Sequence, residues 1–95
     1  MSDEIDVHIG RRVRRRRRLL GLTQQQVAGA CGVRFQQIQK YECGANRVSA
    51  ARLWRLARAL DVPVGYFFDG LETAVSPKET SATIQLHAPK ALATA

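Results

Sequence analysis

Cysteine and histidine are scarce in this sequence of 95 residues, which contains two of each. Cys31 and Cys43 are too few and too far apart for a zinc site, and we interpret them as a packing thiol and a surface thiol, with redox sensing as the alternative. His8 and His87 lie at opposite ends of the chain, and Ser49 has no base in view. We therefore expect no metal site, no cofactor and no catalytic residue, and we expect that the protein is not an enzyme.

Long apolar runs are also missing. No stretch approaches the roughly 20 apolar residues of a membrane span, and the N-terminal segment MSDEIDVHIG is acidic, unlike a signal peptide. These features favour a cytoplasmic protein with no membrane partner, in which the two cysteines stay reduced. At this length we expect one compact domain, which suits a binding module better than an enzyme with an elaborate pocket.

Negative charge is outnumbered by positive charge. Eight acidic residues stand against 15 arginines and lysines, for a formal net charge of +7. Twelve of these cations are arginine, whose guanidinium group suits bidentate contacts with phosphate and guanine. The composition therefore indicates a polyanionic partner.

The chain divides into a patterned part and a tail. Residues 1–71 are expected to form the domain, whereas residues 72–95 are rich in Ala, Thr, Ser and Pro and too poor in large aliphatic side chains for a second core. We expect a flexible C-terminal tail. The alternative is that TIQLH, whose alternation is typical of a strand, forms a short strand that pairs across a dimer.

Apolar residues in the patterned part recur with the period of an α-helix. In the first helix, Asp6 is expected to be the N-cap and Gly21 to mark the end. Its predicted inner face contains four residues at helical spacing, which are Ile9, Val13, Arg17 and Leu20. One arginine of the run RRVRRRRR should therefore point inward.

Three more helices and a short helical turn are predicted. Thr23 and Gln26 have the spacing of a capping box at the start of the second helix, which Gly32 ends. The third helix should end at Gly44, and Ser49 should cap the fourth. The predicted inner faces contain Val27, Ala28, Cys31, Phe35, Ile38, Tyr41, Glu42, Leu53, Leu56, Ala57 and Leu60, with Trp54 beside the last four. With VPVGYFF as a fifth element, the sequence predicts an all-α fold of five helices.

The join between the second and third helices carries most of the functional information. Counting from Gln24, a small residue stands fifth, glycine ninth and valine tenth, the spacing that lets two helices cross closely around a tight turn. With this spacing, the segments GLTQQQVA, GVRFQQIQKYECGANRV and LARALDVP resemble the Cro/phage-repressor (XRE) helix-turn-helix family over roughly residues 9–68. The resemblance implies a five-helix, lambda-repressor-like DNA-binding domain, usually dimeric, that represses or activates transcription.

The resemblance also implies particular contacts. Gln24 would touch phosphate and brace the recognition helix, Asn46 and Arg47 would hold the DNA backbone, and Arg17 and Glu42 would form a structural ion pair. The positions that would read base edges in the major groove are Arg34, Phe35, Gln36, Gln39 and Lys40. Glutamine can bond adenine, lysine and arginine can bond guanine, and an apolar ring can cover a thymine methyl. An amide-rich third helix is thus suited to reading bases.

Two positions depart from the family pattern at the start of the third helix. Arg34 stands where Ser or Thr usually supplies an N-cap, so we expect no side-chain cap there. Phe35 shares a helical face with Ile38 and is either a core residue or a reader of bases, with the core reading favoured.

The seven arginines of Arg11–Arg18 cannot all face one ligand, because successive residues of a helix turn by about 100°. We expect most of them to form a solvated face that attracts polyanions, with phosphate contacts at the rim of a groove as the main alternative. RNA binding is a further alternative, although the exposed aromatic platforms of typical RNA-binding modules are lacking. A nuclear localisation signal is another alternative for this arginine run.

From these features we predict a nucleoid-associated transcriptional regulator that binds double-stranded DNA as a homodimer and reads a palindromic operator with its third helix. The alternative is an antitoxin-type protein that binds DNA and also holds a toxin partner through its tail.

Overall fold

The computed structural model describes residues 3–71, which form a bundle of helices without a strand among those residues. The elements, in chain order, are α1 (Glu4–Leu19), α2 (Gln24–Cys31), α3 (Phe35–Glu42), α4 (Ala50–Ala59) and a 3-10 helix (Val64–Phe68). The predicted all-α class is confirmed, although the fifth element is a single 3-10 segment and not an α-helix. The predicted tail, including TIQLH, lies outside the described residues. No described helix is both long enough and apolar enough to cross a membrane.

The first helix begins one turn earlier than the sequence indicated. Asp3, not Asp6, is the N-cap, and its Oδ1 accepts a hydrogen bond from the Ile5 amide at 2.7 Å. The Val7 amide donates to the Asp3 carbonyl at 3.0 Å, which adds the extra turn. Glu4 and Asp6 thus lie in the first turn, where negative charge interacts favourably with the helix dipole.

The other helix ends follow the predicted signals. Thr23 and Gln26 form a reciprocal capping box, with hydrogen bonds of 3.0 and 2.8 Å. Gly32 ends α2 in the left-handed region at φ 70°, and the Ser49 hydroxyl caps α4 by accepting from the Arg52 amide. The start of α3 has no side-chain cap, as expected from Arg34. The tight α2–α3 turn is therefore encoded by local chemistry.

All four α-helices and the 3-10 helix contribute buried residues to one core; α1 packs on α3 and on the 3-10 helix, and α2 packs on α3 and α4. All the aliphatic inner-face residues predicted for α2, α3 and α4 are buried, and Phe67 of the 3-10 helix is fully buried among them. Leu20, which was predicted to face the core, and Trp54, which was expected beside the core residues of α4, are both exposed. Leu20 follows the last residue of α1 and is 40% exposed, and Trp54 is 55% exposed on the outer side of α4, where Arg58 stacks on its ring.

The backbones of α1 and α3 approach closely at Gly10, a residue that the sequence analysis did not identify. A Cβ atom at this position would collide with the carbonyl oxygen of Tyr41 and lie 2.9 Å from that of Glu42. Gly10 is buried in the middle of a helix, a position where glycine is otherwise unfavourable. Its small size therefore sets the distance between α1 and the C-terminal end of α3.

This close approach predicts opposite effects for two helical glycines. Gly10→Ala should lower the free energy of unfolding by about 1–3 kcal/mol, because the added methyl group forces backbone apart. Gly29→Ala is the matched control, since a Cβ at Gly29 in α2 meets nothing within 4 Å. It should stabilise the protein by up to about 1 kcal/mol through helix propensity. Urea unfolding of both variants measures the difference, and a stabilised Gly10→Ala variant would refute the close approach.

Candidate nucleic-acid interface

A buried ion pair fixes the inner side of α3. Arg17 Nε donates to Glu42 Oε2 at 2.6 Å, and Arg17 Nη2 donates to Glu42 Oε1 at 3.0 Å. The two side chains are only 12% and 4% exposed. The hydrogen bonds to Glu42 raise the pKa of the Arg17 guanidinium, against the opposing effect of burial. The two residues expected to pair thus meet in a bidentate contact between α1 and α3.

Gln24 joins this pair from the start of α2. Its Nε2 donates to Glu42 Oε1 at 3.1 Å, while Arg17 Nη1 donates to the Leu22 carbonyl at 2.9 Å. Glu42 therefore accepts from two helices while it belongs to a third. This hydrogen bond holds the Gln24 side chain against the last residue of α3. That Gln24 braces the recognition helix and touches phosphate stays a prediction.

The outer side of α3 presents polar side chains. Gln36, Gln39 and Lys40 are exposed, and so is Arg34 just before the helix. Phe35 is half-buried and packs against the core, so its ring contributes to the fold. The exposed side chains that the third helix offers for reading bases are therefore two amides and one ammonium group, with a guanidinium at its start.

Two open grooves flank this surface. One groove, called here the α1 groove, is lined by Arg14, Arg18, Gln24 and Gln39, with the Arg17–Glu42 pair at its base. The other, the α4 groove, is lined by Arg34, Gln36, Lys40 and Arg52 among others. Both sides of α3 are thus bordered by positive charge. Arg14, Arg18 and Arg52 were missed as individual site residues, because only the packing of α1 and α4 beside α3 brings them there.

Acidic residues are rare in the part of the chain that contains α2, α3 and α4. Between residues 7 and 60, the sequence contains thirteen arginines and lysines and a single acid, Glu42. That carboxylate is buried and paired with Arg17. No free negative side chain of this segment therefore opposes an anion that approaches α3.

Asn46 and Arg47 lie in the loop after α3. Asn46 is half-buried, and its backbone amide donates to the Lys40 carbonyl at 3.3 Å. Arg47 is 72% exposed but is held by the N-terminal end of α1, with Nε 3.2 Å from Asp6 Oδ2 and Nη2 3.7 Å from Asp3 Oδ2. Arg47 would have to share or exchange these partners to contact phosphate.

The arginine run of α1 contributes more to the fold than its sequence indicated. Arg12 donates to the Tyr66 carbonyl at 2.9 Å and stacks on the Tyr66 ring, with Asp69 3.7 Å away. Arg16 donates to the carbonyls of Leu60 and Asp61 at 2.8 and 3.3 Å. A helix end leaves carbonyl groups without intrahelical partners, and Arg16 donates to such carbonyls at the end of α4. Arg12 is a second donor to the Tyr66 carbonyl, which also accepts from the Asp69 amide at 3.3 Å. Three arginines, not one, therefore face inward.

The two thiols have different surroundings. Cys31 is buried at the end of α2, and burial raises the pKa of its thiol against the opposing charges of Arg52 and Arg55. Cys43 is exposed at the end of α3. Within residues 3–71, no three His, Cys, Asp or Glu side chains are grouped closely enough to hold a metal ion. Cys31 thus lies in the core, and Cys43 lies on the surface.

The model of the helix-turn-helix family matches residues 13–67. An uncharacterized transcriptional regulator in the ATPase CF(0) region of Rhodospirillum rubrum is 57% identical over 68 residues, covering 72% of this chain and 63% of the relative. An uncharacterized helix-turn-helix regulator of Sinorhizobium medicae is 51% identical over 65 residues, covering 68% and 47%. The matched segments thus span about half to two thirds of these relatives.

Two solved structures share the fold. The restriction-modification controller protein C.AhdI from Aeromonas hydrophila is 32% identical with a TM-score of 0.65, and the match covers 66% of this chain and 96% of that protein. The clp gene regulator ClgR from C. glutamicum is 25% identical with a TM-score of 0.65, covering 67% and 83%. These proteins are regulators, and their folds match about two thirds of this chain.

The buried pair predicts a large effect of one substitution. Glu42→Ala should lower the free energy of unfolding by about 3 kcal/mol, because Arg17 would be left as a poorly solvated charge without its partner. Asp69→Ala is the control, since Asp69 is 70% exposed and its pair with Arg12 should be worth less than about 1 kcal/mol. Thermal melting of the two variants measures both effects. A Glu42→Ala variant that melts within error of the wild type would show that the pair contributes nothing.

Proposed function

The chain belongs to the XRE-type helix-turn-helix family of transcriptional regulators, and we propose that it binds a palindromic operator as a homodimer, with α3 in the major groove of duplex DNA. The observation that carries this proposal is the outer surface of α3, where Gln36, Gln39 and Lys40 are exposed on a helix held from behind by the Arg17–Glu42 pair. A reading helix needs free polar side chains on a rigid backbone, and α3 has both.

Each exposed side chain has a chemistry that suits a base edge. The amides of Gln36 and Gln39 can donate to and accept from adenine at once, and Lys40 or Arg34 can donate to the acceptors of guanine. Phe35 is the least suited of the proposed readers, because its ring is packed against the core. We infer that specificity resides in the amides and cations of α3, with Phe35 limited to a contact with a thymine methyl.

Backbone contacts are proposed for Gln24, Asn46 and Arg47, which lie near the C-terminal end of α3. Gln24 borders the α1 groove, while Asn46 and Arg47 follow the C-terminal end of α3. Backbone contacts beside a reading helix fix its register along the duplex without adding sequence information. Such a protein would be associated with the nucleoid.

Two-fold symmetry is proposed because one α3 of eight residues reads only a few base pairs. A dimer presents two such helices to half-sites about one helical turn, roughly 34–36 Å, apart. The alternative of an antitoxin depends on residues 72–95, which lie outside the described residues. Selection of binding sites from random duplex DNA tests the main proposal, since it reports sequence preference, symmetry and half-site spacing. Selection that returns no preferred sequence would reject it.

Salt dependence tests the proposed role of Arg47. The binding constant K falls as the salt concentration rises. For Arg47→Ala, the plot of log K against log salt should become less steep by about 0.9 for each phosphate that is no longer neutralised, on operator and random duplex alike. Arg47→Lys should keep the slope, because the ammonium group still neutralises a phosphate. The measurement is a salt titration of binding on both DNAs. A weakening confined to the operator would mean that Arg47 reads bases, and an unchanged slope would mean that Arg47 stays with Asp3 and Asp6.

Site selection tests the proposed role of Gln36. Gln36→Ala should cost roughly 1–3 kcal/mol on the preferred site and much less on random duplex, because only the preferred site offers the matching base. The melting temperature should not change, since the side chain is exposed. Selection should become relaxed at one base pair in each half-site. Gln25→Ala removes an exposed amide from α2 as a control, and its selected sequence should equal that of the wild type. If Gln36→Ala selects the same DNA sequence as the wild type, Gln36 does not read a base, and Arg34, Gln39 or Lys40 must do so instead.

A further inference from the structure

The outer arginines of α1 have no partner within the described part of the chain. Arg12, Arg16 and Arg17 are tied to the 3-10 helix, the end of α4 and Glu42. The other four are exposed, and their side chains form no hydrogen bond or ion pair within residues 3–71; they are Arg11, Arg14, Arg15 and Arg18. Four guanidinium groups on adjacent turns repel one another, so an anion that bridges them would be stabilised.

These four arginines divide into two pairs with different surroundings. Arg14 and Arg18 line the α1 groove together with Gln24 and Gln39. Arg11 and Arg15 do not line that groove, although they share a shallow outer surface of α1 with the first pair. Each pair has an i, i+4 spacing and the same charge. The structure therefore contains a natural comparison between two cations beside the reading surface and two cations away from it.

We propose that Arg14 and Arg18 bind phosphates of the DNA strand that borders α3, which makes α1 a second backbone-binding element next to the start of α2. The inference rests on the proposed function, because it takes the duplex to be seated on α3. A groove that joins Gln39 of the reading surface to Arg14 and Arg18 offers a continuous path from base edge to sugar-phosphate backbone. A duplex is the occupant that fits, because its phosphates run along the edge of the groove that α3 enters.

The inner arginines support this arrangement indirectly. Arg12 and Arg16 anchor α1 to the far side of the domain, and Arg17 anchors it to α3. The helix that carries Arg14 and Arg18 is therefore held at a fixed position relative to the reading surface. Phosphate contacts from a fixed helix set the register of the protein on the duplex, whereas a mobile cationic segment would only raise the local concentration of DNA.

The test compares two double variants of the full chain. Arg14→Gln/Arg18→Gln should lower the slope of log K against log salt by about 1.8 per bound protomer, because two phosphates at about 0.9 each are no longer neutralised. Over a fourfold rise in salt, the affinity of the wild type should then fall by about tenfold more than that of this variant. Arg11→Gln/Arg15→Gln removes the same charge from the same helix and should leave the slope nearly unchanged. Binding is measured on the selected site and on random duplex by fluorescence anisotropy.

Two further measurements complete the design. Arg14→Lys/Arg18→Lys should retain the wild-type slope, because each phosphate needs only a positive charge beside it. Both glutamine variants should melt at or above the wild-type temperature, since none of the four side chains has a partner within residues 3–71 and repulsion is relieved. These controls separate weaker phosphate binding from a smaller amount of folded protein.

Each outcome decides the proposal. A larger fall in slope for the Arg14/Arg18 variant supports it. Equal falls for the two variants would mean that the arginine run acts only as a diffuse positive field, and no fall in either would mean that α1 lies outside the DNA interface, so both results overturn it. A wild type that selects no sequence would reject the proposed function instead. The proposed function would stand, with the arginine proposal alone rejected, if selection succeeds while the two variants behave alike.

Discussion

The ion pair between Arg17 and Glu42 is the constraint on which the rest of the domain depends. Two charges with little access to water are costly to bury, and the cost is offset only when the geometry is bidentate and the remaining lone pairs are satisfied. Here Arg17 also donates to Leu22, and Gln24 donates to Glu42. These hydrogen bonds join α1, α2 and α3 around one carboxylate, so they constrain how the three helices pack together.

The pair also explains how one short helix serves both the core and the surface. The inner face of α3 contains Ile38 and Tyr41, which pack in the core, and Glu42, which is neutralised by Arg17. With Glu42 neutralised, the exposed side chains of α3 lie among cations on both sides. The buried carboxylate of Glu42 thus orients α3, and its pairing with Arg17 prevents it from repelling a polyanion.

The arginine-rich first helix shows that charge patterning has more than one role within a few residues. A helix turns by about 100° per residue, so a continuous run of arginines must distribute over all sides. On the inner side, Arg12 donates to a carbonyl in the 3-10 helix, and Arg16 donates to a carbonyl at the end of α4. On the outer side, four guanidinium groups remain exposed. Arginine is suited to both sides, because its long aliphatic stem packs while its planar head donates several hydrogen bonds.

The sequence by itself determined the helical class, most helix ends and the aliphatic core, because caps, glycine turns and the 3.6-residue period are local signals that Thr23, Gly32, Ser49 and the buried aliphatic residues obey. The inward position of Arg17 followed from helical spacing, but only the tertiary structure decided that Arg12 and Arg16 also face inward, how Gly10 brings α1 against α3, and which cations border Gln36 and Gln39. The partners of Arg12 and Arg16 lie 54 and 44 residues away in the chain. No local periodicity records such contacts, since they depend on how complete helices pack.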